Sequence, residues 1–220
     1  MSKRLKFADK PVYIFDLDGT LIDSMGVWSQ NMLSLFTKFN ITPPDNLIRT
    51  ITPMSDVTIA AFLAECGIPM SPAEIQQYNR AVAQHAYSYE IPAKPTVVET
   101  VKTMKDMGVR MFVVTASPHV VLDPALKRLG IYDDFEGVWS SDDFAYVKAD
   151  TRLYPQLAAR IGVRTDECVF IDDNPEVVKN AKKMGMTTIG IYDESSAAAQ
   201  DVIKAHADLY ILQMDEIFEA

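Results

Sequence analysis

The chain has 220 residues, 48% of them hydrophobic and 23% charged, the balance of an ordinary globular protein with enough apolar material for a sizeable core rather than of a disordered one. Its net charge of −9 comes without any basic run, which argues against nucleic acid as a partner, because that binding draws on Lys and Arg against phosphates. No stretch approaches the roughly 18 consecutive apolar residues of a membrane span, and Met1–Phe7 carries charge with no apolar core behind it, so a cytoplasmic protein without membrane contact is expected.

The first apolar run, Val12-Tyr13-Ile14-Phe15, reads as a strand, and Asp16-Leu17-Asp18-Gly19-Thr20 follows it. In a chain still extended after a strand, residues two apart point the same way, so Asp16 and Asp18 can face one substrate. Gly19 permits a sharp turn whose N–H groups can form an anion-binding nest. From about Ser24 to Glu90 there is only helical patterning, broken at residues 42–45, at Thr52-Pro53 and at residues 67–69. Three or four helices are expected there, entered at Asp23-Ser24 and left through Ile91-Pro92-Ala93-Lys94-Pro95. Trp28, Met32 and Leu35 share one helical face, the expected core of that insert.

Beyond the insert the spacing predicts a helix over Val97 to Met107 stopped by Gly108, then a strand at Met111-Phe112-Val113-Val114 followed by Thr115-Ala116-Ser117. Ser117-Pro118 reads as a helix start, with the Ser117 hydroxyl as its cap. A weaker strand is expected at Gly137-Val138-Trp139, and a helix from Leu153 to Ile161 ends at Gly162. The run Cys168-Val169-Phe170-Ile171 leads into Asp172-Asp173, after which Asn174 and Pro175 supply an N-cap and a first helical residue. Strands at Thr187–Ile191 and Leu209–Leu212 complete the series. Cys66 and Cys168 form no CxxC pair, and Cys168 reads as a small core residue. His85, His119 and His206 have no partner at ligand spacing.

Strands without alternation, separated by helices, imply an α/β fold: a Rossmann-like parallel sheet covered on both faces, interrupted by an all-helical insertion. The expected division is a core of residues 1–22 and 93–220, and a helical domain of residues 23–92. In such a sheet ligands bind beyond the carboxyl ends of the strands, which brings Asp16, Asp18, Thr115, Asp172 and Asp173 to one place. Like carboxylates about 4 Å apart repel by roughly 4 kcal/mol at an effective dielectric of about 20. The cluster must therefore raise its pKa values or bind a cation, and hard oxygen ligands favour Mg²⁺, which takes phosphate oxygens as further ligands.

These residues carry a family resemblance. Asp16-Leu17-Asp18-Gly19-Thr20, Thr115, Lys148 and Asp172-Asp173 are similar, in order and spacing, to the four motifs of the haloacid dehalogenase-like superfamily, and the helical insertion between the first two resembles its C1-type cap. The resemblance spans about Pro11 to Phe218 and implies a Mg²⁺-dependent phosphatase acting on a small phosphorylated metabolite. Asp16 would attack phosphorus to give an aspartyl-phosphate, and Asp18 would protonate the leaving oxygen and then activate water. The phosphate would sit against Asp16, Leu17, Asp18, Thr115, Ala116 and Lys148. Mg²⁺ would be held by the Asp16 side chain, the Asp18 main-chain carbonyl and Asp173, with Asp172 orienting the metal's water. The sequence departs from the family where Ala149-Asp150-Thr151 follows Lys148, a place often close to a proline, and where Lys94-Pro95-Thr96 stands for the usual Pro-Gly. A sugar phosphomutase of the same superfamily is the nearest alternative, for which Arg49 and Arg80 are the only apparent cap groups. A non-catalytic phosphate-binding or regulatory module is the alternative from another class.

Overall fold

The structure, a computed structural model, describes residues 3–51 and 56–219. The turn expected at Thr52-Pro53 lies outside the described residues, as do the side chains of Trp28 and Arg49. Backbone contacts divide the chain into two units, Met1–Asp23 with Ile91–Ala220, and Ser24–Glu90.

The first unit is built on a six-stranded sheet. Its strands are β1 (Val12–Phe15), β2 (Arg110–Thr115), β3 (Gly137–Ser140), β4 (Cys168–Asp172), β5 (Thr187–Ile191) and β6 (Leu209–Ile211), in the order β3-β2-β1-β4-β5-β6. Every neighbouring pair is parallel, which confirms the parallel α/β class. β1 lies between β2 and β4, with Phe15 beside Val113 on one side and Ile171 on the other. The apolar runs lack alternation because both faces are covered. All four residues of β1 and all five of β4 are buried, worth about 1.5–3 kcal/mol for each large apolar side chain taken out of water. On one face Ile14, Val114 and Phe170 pack with Tyr154, Leu157 and Val177.

The surrounding helices begin and end where local chemistry dictates. The helix Val97–Asp106 buries Val97, Val101 and Met104. It stops a residue earlier than the spacing predicts, because Met107 is exposed and caps the end before Gly108 turns at φ +75°. The helix Leu153–Ile161 ends on Gly162 in the left-handed region, where glycine carries no Cβ penalty. The helix Pro175–Lys183 starts as expected: the Asn174 side chain accepts from the Glu176 and Val177 N–H groups. The start after β2 differs from expectation. Pro118 is the N-cap of the helix His119–Arg128, no side chain caps that helix, and the Ser117 hydroxyl is engaged elsewhere.

The second unit is all helical among the described residues: Met25–Lys38, Leu47–Ile51, Asp56–Glu65 and Pro72–Tyr89. The last is opened by a capping box, with the Glu74 N–H donating to Ser71 Oγ and the Ser71 N–H donating to Glu74 Oε2 at 2.7 Å. Met32, Leu35, Phe36, Leu63 and Ile75 share its core.

Candidate active site

Because β1 is central, the residues that leave β1, β2 and β4 converge. Asp16 is 5% exposed, Asp172 0% and Asp173 6%. One carboxylate oxygen from each lies within 4.8 Å of the others. Lys148 enters the same place from the loop before Leu153. Its Nζ sits 2.6 Å from Asp16 Oδ1 and donates to Asp172 Oδ2 at 2.8 Å. Thr115, at the end of β2, is buried; its hydroxyl donates to Asp18 Oδ2 at 3.3 Å and accepts from the Ser117 N–H. Ala116 follows Thr115 at the surface. Leu17 is fully buried, and its carbonyl accepts from the Leu21 N–H at 2.8 Å, closing the turn behind Asp16.

The electrostatics follow from crowding. Burial first, then the charges of Asp172 and Asp18, push the Asp16 carboxyl up to about 7 against the opposing pull of Lys148. Burial, with Asp172 and Asp16, pushes Asp173 up to about 8. For Lys148, burial alone would lower the pKa, but Asp16 and Asp172 override it and hold the ammonium charged. One lysine cannot neutralise three buried carboxylates, and the surplus negative charge is what a cation would satisfy.

The donor set fits a small divalent ion. Hard carboxylate oxygens from Asp16 and Asp173 converge. Among the described residues no donor hydrogen-bonds Asp173, whereas both oxygens of Asp172 are occupied, by Lys148 Nζ and by the Asn174 N–H at 2.8 Å. Gly19 makes the close approach possible. It turns at φ +72°, and a Cβ there would come within 2.7 Å of Asp173 Oδ2, so only glycine lets the loop lie against that carboxylate.

Two further residues border the cluster. Ser117 Oγ donates to Asp18 Oδ2 at 2.6 Å rather than capping a helix. The signal was present, since Ser117 stands two residues after Thr115 and can face the same side. Tyr154 is fully buried; its hydroxyl donates to the Lys148 carbonyl at 2.8 Å, with the Val177 carbonyl 3.3 Å away. It fixes the loop that delivers Lys148. No local pattern marks it.

The sequence model described as haloacid dehalogenase-like hydrolase matches residues 13–191. Over 211 residues the chain is 25% identical to validoxylamine A 7'-phosphate phosphatase of Streptomyces hygroscopicus subsp. limoneus, covering 94% of this chain and 95% of that protein. It is 27% identical over 181 residues to hexitol phosphatase B of Escherichia coli K12, covering 80% and 81%. Among solved structures, YfnB of Bacillus subtilis bound to magnesium superposes with a TM-score of 0.78 at 15% identity, covering 94% of this chain and 96% of that one.

Proposed function

The chain belongs to the haloacid dehalogenase-like hydrolase family, and from that footing we propose that it is a Mg²⁺-dependent phosphatase of a small phosphorylated metabolite, with Asp16 as its nucleophile. The observation that carries this reading is the convergence of Asp16, Asp172 and Asp173 on one point with Lys148 bonded into it. The phosphatases among its relatives, similar over most of their length, support the substrate class.

In this reading the carboxylates of Asp16 and Asp173 and the main-chain carbonyl of Asp18 would hold Mg²⁺, which would supply positive charge for the phosphoryl oxygens. Asp16 Oδ forms a bond to phosphorus while the bond from phosphorus to the ester oxygen breaks. Asp18 gives its proton to the departing oxygen, leaving an alcohol and an aspartyl-phosphate. Asp18 then takes a proton from water as the water oxygen bonds to phosphorus and the Asp16–phosphorus bond breaks, releasing inorganic phosphate. Thr115 donates to a phosphoryl oxygen beside the Leu17 and Ala116 backbone. Lys148 stays charged next to Asp16 throughout, a fixed positive group that need not reorganise as charge moves. Asp172 holds Lys148 in place.

Asp16→Asn keeps the shape of the side chain and removes the nucleophile. It is expected to lower phosphate release from p-nitrophenyl phosphate, measured with Mg²⁺, by at least about a thousandfold. Rates close to wild type in that variant would take Asp16 out of the role. Absence of phosphate release from the wild-type protein across a metabolite panel would sink the phosphatase reading itself.

A further inference from the structure

Lys94 stands in the segment Ile91–Pro95 with its side chain only 11% exposed. Its ammonium donates to the Gly19 carbonyl at 2.8 Å, to the Tyr192 carbonyl at 2.7 Å and to Asp193 Oδ2 at 2.8 Å. An ammonium has three N–H donors, so these three acceptors saturate it. Asp193 is 4% exposed, and its other oxygen accepts from the Ser195 N–H at 2.9 Å and the Ser195 hydroxyl at 2.6 Å. The pair is buried and satisfied on both sides, the condition under which such a pair holds a geometry rather than costing stability.

One of those acceptors lies inside the loop Asp16–Thr20. The Lys94 N–H reinforces the attachment by donating to the Leu21 carbonyl at 3.0 Å. Gly19 is therefore gripped at its carbonyl by Lys94, while its Cα lies against the Asp173 carboxylate. Asp193 is close enough for its charge to act on Asp173. An unneutralised Asp193 would add a further negative charge to the crowded acids.

We propose that Lys94, fixed by Asp193, is a positioning residue: it sets where the Gly19 peptide lies, and through it the separation between the Asp18 backbone and Asp173. Its effect on turnover rests on the phosphatase reading above. Its effect on the loop and on the cation does not.

Lys94→Met removes all three donors and keeps much of the side-chain volume. In the metal-free protein, hydrogen exchange of a peptide covering residues 16–23 is expected to quicken, while a peptide covering β4 keeps its wild-type rate. Calorimetric titration with MgCl₂ is expected to give a dissociation constant about ten- to a hundredfold weaker, as when a group that orients a metal ligand is lost. With p-nitrophenyl phosphate, kcat is expected to fall while KM stays within about threefold, because the loop's geometry and not substrate affinity has changed. Asp193→Asn keeps an oxygen for Lys94 to donate to and is expected to shift the same readouts less. If Lys94→Met does not fold, Asp193→Asn decides on those readouts. Exchange and Mg²⁺ affinity equal to wild type would overturn the proposal, and so would exchange raised equally across the whole chain. Wild-type protein that binds Mg²⁺ but releases no phosphate would remove the phosphatase reading and leave exchange and Mg²⁺ affinity to judge Lys94.

Discussion

At the scale of single residues, contact distances govern more than residue class. Gly19→Ala adds one methyl group, yet the left-handed backbone costs an L-residue about 1–2 kcal/mol, and the methyl would meet Asp173 Oδ2 at 2.7 Å. The variant is expected to bind Mg²⁺ at least about tenfold more weakly, measured by titration calorimetry; wild-type affinity would show that the loop does not need to touch Asp173. Asp16, Asp18, Thr115, Asp172 and Asp173 were legible in the sequence because each follows an apolar run whose end marks a ligand site. Lys148 was legible only by resemblance, since it follows a loop. Lys94 was not legible at all as part of this centre: its acceptors Gly19 and Asp193 lie 75 and 99 residues away, and nothing local distinguishes it from a solvated lysine. Ser117 reads as a helix cap because a serine before a proline has a sufficient local explanation there, whereas its hydroxyl bonds Asp18.

At the scale of elements, two helix starts carry features open to test. Thr96, the residue before the helix Val97–Asp106, has φ +64°, a conformation unfavourable for a β-branched residue. Its hydroxyl compensates by donating to Asp215 Oδ1 and accepting from the Asp215 N–H, both at 3.1 Å. Thr96→Ala keeps the strain and loses both bonds, whereas Thr96→Gly loses the bonds and relieves the strain. Glycine is expected to be the more stable of the two by about 1 kcal/mol in denaturant unfolding, and an alanine variant as stable as the glycine one would refute the strain. At the helix His119–Arg128, the His119 ring bonds Asp123 Oδ1 and Asp143 Oδ2, each at 2.8 Å. The hydrogen bonds to Asp123 and Asp143 raise its pKa. A raised folded pKa gives stability that is complete below the unfolded value of about 6.5 and is lost as pH rises through the folded value. The Tm difference between wild type and His119→Gln should therefore shrink on going from mildly acidic to alkaline buffer; a difference that grows would reverse the assignment. The strands were readable because burial on both faces leaves unbroken apolar runs, while the helix ends before Gly108 and after Pro118 moved by a residue, set by capping geometry that composition does not encode.

At the scale of the whole molecule, the acid cluster is expected to couple stability to pH and to metal. Asp16 and Asp173 are raised to about 7 and about 8, so the metal-free fold holds protons at this cluster more readily than the unfolded chain does. Their contribution is complete below the ordinary carboxylate range and is lost as pH rises through those values. In EDTA, Tm is expected to fall between mildly acidic and mildly alkaline pH. Saturating MgCl₂ should raise it again, adding about 2.7 kcal/mol to the unfolding free energy at 100 times the dissociation constant, with the larger effect on the alkaline side. A metal effect that is absent, or largest in acid, would contradict the cluster as the cation's seat. The central position of β1 has a last consequence, for the ribosome. Asp16 is made early, but β4, which ends on Asp172 just before Asp173, is made about 150 residues later, a wait of about 8–30 s at about 5–20 residues per second. Through that interval β1 has an open edge on the side that β4 will fill. The nascent chain is thus most vulnerable to wrong pairing along β1, and chaperone contact during synthesis should concentrate there.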